Sequence, residues 1–402
     1  MTPADQLNDK LCPYWRKRYE EQLSIKEKNA DELFRDLANC LRINSIISKL
    51  GLRIMRSPVM TGYLNKLDLI CGSDGRVGVP LKQNEDGEHM VVNPKECLII
   101  PEVMKLLACE FENFLTTTSY QVYIEKTCSG HYQQLSLRTN RNSEVLCLVK
   151  FHPQNISAEQ LNEEKFLLKT FFETLKTSKN ITIKCLLFQQ TEDSSPANPA
   201  EFLYGESSFL VENWMDLKFQ VSISSLFPPN FSATTHLLME ILDWCSARKY
   251  HYIFDIFCGT GIQGLSLAPT VMKVIGIDES KEAIEEAEQN LAVNKYNNVQ
   301  FIHGVVEDEL PIIFKKYGHM ESIGIVNRPM SFTSSLSRII RSSAIKRLVY
   351  INTFSRNIMK DIACLCQDFA VNSKPFKVMK YRAFDTEPHN PNFEVAVLLE
   401  RF

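Results

Sequence analysis

The C-terminal half of the chain contains a short region with three glycines and two acidic residues. Their spacing is typical of a site that binds a nucleotide-like ligand. The run FDIFCGTGIQG places Asp255 four residues before Gly259, and Gly261 and Gly264 follow. Such glycines let the backbone approach a ligand closely and let a helix pack tightly against a strand. Asp278 ends the next apolar run, 14 residues after Gly264, where a carboxylate can accept hydrogen bonds from both ribose hydroxyls. The combination predicts a site for a ribose-containing cofactor.

Three interpretations of this site are open. Asp255, just before the glycines, is typical of methyltransferases, so the cofactor we predict is S-adenosyl-L-methionine. A dinucleotide and a glycine-rich turn without any ligand are the alternatives. The twelve cysteines contain no CxxC pair, so we expect neither a disulfide framework nor a metal site.

The elements that must position these residues alternate between strand and helix. Ser280 is placed to cap a helix with the sequence KEAIEEAEQNLAVN. Apolar runs predict strands over 251–257, 273–278, 299–304, 322–327 and 347–352, and two more strands close the chain. Alternation of this kind predicts an α/β fold with a mostly parallel, doubly wound sheet, which here is a C-terminal class I methyltransferase (Rossmann-like) fold.

Changes in sequence texture divide the chain into three predicted segments. Residues 1–50 are predicted to be helical. Residues 51–210 form a predicted central α+β domain that faces RNA, with a mainly antiparallel sheet and an amphipathic helix over 158–177. Residues 211–402 are the predicted methyltransferase domain.

Charge and hydropathy limit the classes of partner. With 45 basic and 48 acidic residues, the net charge is -3, so any contact with RNA requires a local basic patch. Two runs are candidates, Trp15–Tyr19 and Arg338–Arg347. We expect no transmembrane helix and no signal peptide, hence an intracellular protein, either mitochondrial or cytoplasmic. Oligomeric state is left open.

Ordered motifs extend over nearly the whole chain: PYWRKRYEEQL (13–23), SPVMTGYLNK (57–66), LSLRTN (135–140), FHPQ (151–154), LYGE (203–206) and PHNPNFEVAVLLERF (388–402). Together with the glycine-rich loop, they resemble the RNA uracil-5-methyltransferase family, especially its eukaryotic tRNA branch. The resemblance implies S-adenosyl-L-methionine as cofactor and tRNA, or else rRNA, as partner. Asn327 stands where most members carry aspartate, and in this respect the sequence resembles the mitochondrial branch of the family.

The resemblance also implies a covalent mechanism. Carbon 5 of uracil is a poor nucleophile, so a cysteine thiolate adds to carbon 6 and the resulting enolate accepts the methyl group. A base then removes the proton from carbon 5. The position of the nucleophile falls on Thr353, and the position of the general base falls on Glu394 in NPNFE. Cys364 and Cys366 lie at least 11 residues further on and are expected to be core residues.

Further family positions are changed as well. The glutamine of a Phe-Gln-x-Asn segment, which contacts cofactor and base in the family, falls on Pro228, whereas Asn230 is retained. The Asp-Pro-Pro-Arg motif reads Asn327 to Met330, and the arginine of Arg-Asn-Lys falls on Leu64. The resemblance implies two groups of cofactor positions. The first is the glycine-rich loop with its flanking acids, Asp255, Gly259, Gly261, Gly264 and Asp278. The second consists of two changed positions, Asn327 and Pro228.

Three functions are consistent with this pattern. The one we favour is a family member that binds tRNA and S-adenosyl-L-methionine, with uracil methylation weakened or lost. The second is an active enzyme that forms 5-methyluridine in the tRNA T-loop. The third is a methyltransferase that acts on a nitrogen or oxygen atom, for which positioning can suffice.

Overall fold

The computed structural model describes residues 2–42, 51–83, 89–192, 198–328, 331–367 and 375–402. Its helices are α1 (Pro3–Leu11), α2 (Tyr19–Cys40), α3 (Glu102–Leu115), α4 (Ala158–Ser178), α5 (Phe231–Cys245), α6 (Ile262–Leu267), α7 (Lys281–Asn294), α8 (Val306–Tyr317), α9 (Ser334–Ser342) and α10 (Asn357–Cys366).

The strands fall into two large sheets and one two-stranded ribbon. They are β1 (Gly51–Met55), β2 (Lys66–Cys71), β3 (Val77–Gln83), β4 (His89–Val92), β5 (Tyr132–Thr139), β6 (Val145–Phe151), β7 (Ile183–Gln190), β8 (Glu201–Gly205), β9 (Leu210–Trp214), β10 (Leu217–Val221), β11 (Tyr252–Ile256), β12 (Lys273–Asp278), β13 (Val299–His303), β14 (Ser322–Asn327), β15 (Arg347–Thr353), β16 (Lys377–Phe384) and β17 (Glu394–Glu400).

The chain folds into two compact units that are interleaved in sequence. Unit 1 consists of Met1–Arg16, Met60–Glu212 and Gln220–Ser224, and unit 2 of Lys17–Val59, Asn213–Phe219 and Ser225–Phe402. These units differ from the three predicted segments because α2 packs against the C-terminal sheet and β1 pairs with β16 in it. As a division by function, the segments 1–50, 51–210 and 211–402 stay a prediction.

Unit 2 contains an eight-stranded sheet with the order β1-β16-β17-β15-β14-β11-β12-β13. The strands β11 to β15 pair in parallel, while β17 runs antiparallel to β15 and β16. After β13 the chain returns to the other side of β11 to form β14, so the strand order reverses at β11. Ligands of such sheets bind outside the carboxyl ends of the strands at this switch point, and the glycine-rich loop follows β11.

The two faces of this sheet carry different helices. Strand side chains alternate between the faces, and Tyr350, Phe393 and Val395 point into a core that also contains side chains of α2, α8, α9 and α10. Their sequence neighbours therefore point to the opposite face, where α5 contacts β15 and β17.

Unit 1 contains a seven-stranded sheet with the order β4-β3-β2-β5-β6-β7-β8. In this order, each strand from β4 through β6 pairs antiparallel with the next, as the sequence predicts. β6 and β7 pair in parallel because α4 connects them. Ser157 caps α4 through a capping box with Gln160. None of the described helices is both long and apolar enough to cross a membrane.

Candidate cofactor and catalytic site

The glycine-rich loop is tied to the strand that precedes it. The fully buried Asp255 accepts a hydrogen bond from the Gly264 amide at 2.8 Å through Oδ2. Burial raises the pKa of Asp255 to about 7, and its Oδ1 has no hydrogen-bond partner among the described residues. A Cβ on Gly264 would lie 2.9 Å from Val274 Cγ1, so the start of α6 can pack against β12 at this depth only with glycine.

Left-handed backbone conformations shape the turn itself. Gly259 has φ +53° and Gly261 has φ +82°, a region that glycine adopts without steric cost. A Cβ on Gly261 would also meet Phe301 Cζ at 2.6 Å. Phe257, directly before the turn, has φ +61°, which is strained for a residue with a side chain. The Cζ atom of the Arg328 guanidinium lies over the Phe257 ring, 4.3 Å from its centroid. This contact links the carboxyl ends of β11 and β14.

Asp278 completes the loop from the end of β12. Its Oδ2 accepts a hydrogen bond from the Gly259 amide at 2.8 Å, and its Oδ1 accepts one from the Ser280 amide at 2.9 Å. Each carboxylate oxygen has a second lone pair. The backbone therefore orients the half-buried carboxylate, which can still accept hydrogen bonds from ribose hydroxyls.

These features fit a nucleoside cofactor such as S-adenosyl-L-methionine. The loop brings together glycine backbone, an oriented carboxylate and the switch point of the sheet. The spacing of Gly259, Gly261 and Gly264 is shared with dinucleotide-binding loops, so spacing alone does not select the ligand.

Thr353 and Glu394 are direct neighbours across two strands. They face each other in the antiparallel register of β15 and β17, Thr353 as the last residue of its strand and Glu394 as the first of its own. Side chains in such pairs lie on one face with Cβ atoms about 5 Å apart. The fold thus brings the predicted nucleophile and base positions together, although they lie 41 positions apart in the chain.

Glu394 opens onto a cavity of about 110 Å³ in unit 2. Burial, followed by the nearby charge of Glu387, raises the pKa of Glu394 to about 7. Its Oε2 is buried and has no hydrogen-bond partner among the described residues. A carboxyl group that is half ionised near neutral pH is suited to accept or donate a proton.

Two of the changed family positions line the same cavity. Pro228 contributes a side chain without a hydrogen-bonding group, and Asn327 contributes an amide at the end of β14. Asn230, which the family retains, caps α5 by accepting a hydrogen bond from the Ala233 amide and donates another to Ser57 Oγ. Asn230 is 2% exposed and also lines the cavity, so these hydrogen bonds fix its position at the cavity wall.

The cysteines nearest to Thr353 in sequence lie on another face of the sheet. Cys364 and Cys366 belong to α10, which packs on the Tyr350 face, whereas Thr353 and Glu394 point to the opposite face. Cys366 packs against that core, and burial raises its pKa to about 12. Among the residues that the structure describes, no cysteine lines the cavity beside Glu394.

Two residues of the site had no signal in the sequence. Arg328 follows β14 within the changed Asp-Pro-Pro-Arg motif, but its contact with Phe257 depends on the pairing of β11 with β14. Glu387 lines the cavity with Glu394 because the segment between β16 and β17 turns back on itself. The other two residues of that motif, Pro329 and Met330, lie outside the described residues.

The two basic runs are partly committed to internal contacts. In the second run Arg341 is buried and donates to the Cys364 carbonyl, and Arg347 pairs with Glu400 at 2.6 Å. In the first, Arg16 pairs with Asp9 at 3.3 Å. Within the described parts of the chain, no group of histidine, cysteine, aspartate or glutamate is arranged to hold a metal ion.

Comparison with known proteins first defines the class. Residues 248–384 match the family model described as Methyltransferase domain. With the strand order of unit 2, the match identifies a methyltransferase domain with an α/β Rossmann-like fold and confirms the predicted fold class. The predicted cofactor, S-adenosyl-L-methionine, agrees with this class.

Relatives then define the family. At 30% identity, 99% of this chain aligns with 68% of human tRNA (uracil-5-)-methyltransferase homolog A. At 27% identity, 99% aligns with 87% of tRNA (uracil-5-)-methyltransferase homolog B of Danio rerio. The chain belongs to the tRNA (uracil-5-)-methyltransferase family, as its motifs predict.

A solved structure shares the fold over almost the entire chain. Pyrococcus abyssi tRNA (uracil-54, C5)-methyltransferase, in complex with S-adenosyl-L-homocysteine, matches with a TM-score of 0.70. The match covers 96% of this chain and 85% of that one. At 17% identity, it establishes the common fold.

Proposed function

We propose that this family member binds S-adenosyl-L-methionine and tRNA, and that its methylation of uracil at carbon 5 is weakened or lost. The observation that carries the proposal is the cross-strand pair of Thr353 and Glu394. The base position is retained, whereas the nucleophile position carries a hydroxyl group. Cofactor binding is supported by the loop around Gly259 and Gly261 and by the carboxylate of Asp278.

The chemical reason is the low acidity of the hydroxyl group. A cysteine thiol titrates near pH 8.5, so a useful fraction is thiolate at neutral pH. A carboxylate whose pKa is about 7, such as Glu394, is far too weak a base to ionise a threonine hydroxyl. Carbon 6 of uracil therefore has no anionic nucleophile from Thr353, and carbon 5 stays unreactive.

Unmodified tRNA and labelled S-adenosyl-L-methionine provide the test. We expect calorimetry to detect cofactor binding and RNA binding to persist, with little or no 5-methyluridine after digestion of the tRNA. The variant Asp278→Ala is the control, since it should lose cofactor binding but retain RNA binding. Formation of 5-methyluridine at a rate comparable to that of a cysteine-bearing relative would show that uracil methylation is intact.

A second candidate is methyl transfer to a nitrogen or oxygen atom. Such atoms need no covalent activation, and Glu394 can accept the proton they release. Asn327 lines the same cavity, and its amide can donate a hydrogen bond to such an atom or accept one from it, which supports this alternative. In the same assay, label in a nucleoside other than 5-methyluridine, absent with Glu394→Gln, is the outcome expected from it.

A further inference from the structure

A buried lysine lies in α2, a helix outside the cofactor loop and the cavity. Lys26 is 0% exposed, and its ammonium group pairs with the equally buried Asp385 at 2.5 Å. It also donates to the carbonyl of Glu387 at 2.9 Å. Both partners belong to the segment that connects β16 to Glu394.

Gln22 holds the same segment one turn earlier on α2. Its Oε1 accepts a hydrogen bond from the His389 amide at 2.7 Å, and its Nε2 lies 3.0 Å from His389 Nδ1. His389 has φ +65°, a strained backbone conformation for a residue with a side chain. Strain of this kind persists only where the surroundings over-determine it.

A buried ion pair is a poor means of adding stability. Removal of two charges from water is unfavourable, and replacement of such a pair by apolar residues is often neutral or stabilising. The Lys26–Asp385 pair therefore calls for an explanation other than stability. The position of the pair indicates such an explanation. The segment that Lys26 contacts leads to Glu394 and contains Glu387, and both residues line one cavity.

We propose that Lys26 and Gln22 are positioning residues, which hold the segment from Asp385 to Phe393 so that Glu387 and Glu394 line one cavity, and thereby set the protonation state of Glu394. The inference rests on the proposed function insofar as Glu394 occupies the base position.

The surroundings of the carboxyl pair determine the direction of the effect. The charged groups that act on it are Lys26 from α2 and Asp385 from the segment itself, with Tyr19 of α2 and His389 beside Asp385, while α5, α6 and β14 contribute the uncharged Thr234, Gln263 and Asn327. Burial is the main cause that raises the pKa of Glu387, while Lys26 lowers it and Asp385 raises it, so removal of both charges leaves opposing effects on Glu387. Solvation therefore sets the direction: burial is also the main cause of the raised pKa of Glu394, and loss of the contacts to α2 should release the segment and admit water to Glu394. The greater hydration and the greater distance from Glu387 both favour the ionised form of Glu394.

The test follows Glu394 directly by carbon-13 NMR of the full-length protein labelled at glutamate, with Glu394→Gln to assign the signal. In Lys26→Met/Asp385→Leu, no buried charge is left unpaired, so we expect the protein to fold. We expect the titration midpoint of Glu394 to fall by about one pH unit, a tenfold loss of proton affinity. Gln22→Met should shift it in the same direction and provides the test if the double variant does not fold.

The matched control is the ion pair at the other end of the same strands. Arg347→Met/Glu400→Leu removes a pair between β15 and β17 and should leave the midpoint of Glu394 unchanged. Folded α2 variants with the wild-type midpoint would show that the α2 contacts are only structural. Because this titration does not involve methyl transfer, it remains decisive even if the protein proves to methylate uracil.

Discussion

At the scale of single residues, the proposed function depends on two neighbouring side chains. Thr353 and Glu394 face each other at the ends of β15 and β17. In the proposal, a hydroxyl group at the first position replaces the thiol that the covalent mechanism requires, while the pKa of the second, about 7, suits a general base. The site residues inferred from the family stay predictions until these side chains are varied.

The first prediction concerns Thr353→Cys. Because the thiol would stand beside Glu394, we expect 5-methyluridine formation to rise above that of the wild type, as measured by mass spectrometry of digested tRNA. Full family-like activity is not expected, since Pro228 and Leu64 remain where the family carries hydrogen-bonding side chains. Thr353→Ser, which keeps a hydroxyl group, is the control. Complete rescue by cysteine alone would show that Pro228 and Leu64 matter little.

A second prediction follows from the proton affinity of Glu394. Its pKa in the folded protein is about 7, above the ordinary 4.5, so folding takes up a proton between these values. The associated stability is fully present below pH 4.5 and is lost as the pH rises through 7. Glu394→Gln should therefore be more stable than the wild type at pH 8, by roughly 3 kcal/mol. Denaturant unfolding measures this difference, and at pH 4.5 most of it should disappear.

At the scale of elements, the turn between β11 and α6 tolerates little change at its glycines. Gly261 combines a left-handed conformation with close contact to Phe301 of β13, so its lack of a side chain is required twice. The strained Phe257, held by Arg328, fixes the same turn from the strand side.

The third prediction compares two glycines. Gly261→Ala should weaken S-adenosyl-L-methionine binding at least about tenfold, because strain at positive φ and the clash with Phe301 must displace the turn. Gly75 has a similar φ of +80° but open space around its Cβ direction, and it lies in unit 1. Gly75→Ala is thus the control for strain alone, and calorimetry should give it wild-type cofactor affinity. Equal losses in both variants would contradict a specific role of the turn.

At the scale of the whole molecule, charge limits the manner of RNA binding. The net charge of -3 provides no general attraction for a polyanion. Arg341 and Arg347 are committed to internal partners, so part of the second basic run is withdrawn from any such role.

The fourth prediction is therefore a modest dependence of tRNA binding on salt. If only a few lysine and arginine side chains contact phosphates, the slope of log K against log salt should be about -2 to -4. Fluorescence anisotropy with labelled tRNA between low and physiological salt measures it. Lys346→Ala, at an exposed position of the second run, should reduce the slope by about one if that run contacts RNA, whereas Lys28→Ala on α2 serves as the control. A slope near zero would exclude phosphate contacts as a source of affinity.

The sequence predicted the elements of unit 2 closely. The strands over 273–278 and 322–327 have the predicted bounds, and the Ser280 hydroxyl accepts a hydrogen bond from the Ala283 amide at the start of α7. These features depend on side-chain periodicity and capping, which act over a few residues. The family could also be inferred, because its motifs are local runs of residues.

The sequence by itself determined a glycine-rich turn, an acid at the end of a predicted strand and, through the family resemblance, the prediction that Glu394 holds the base position and Thr353 the position of the nucleophile. Only the tertiary structure decided that Thr353 lies opposite Glu394, that β1 joins β16, and that Lys26 meets Asp385 across 359 positions. Local pattern cannot specify such pairs, because they depend on the register of a sheet assembled from distant segments. Their geometry is fixed only when the whole core of unit 2 is packed.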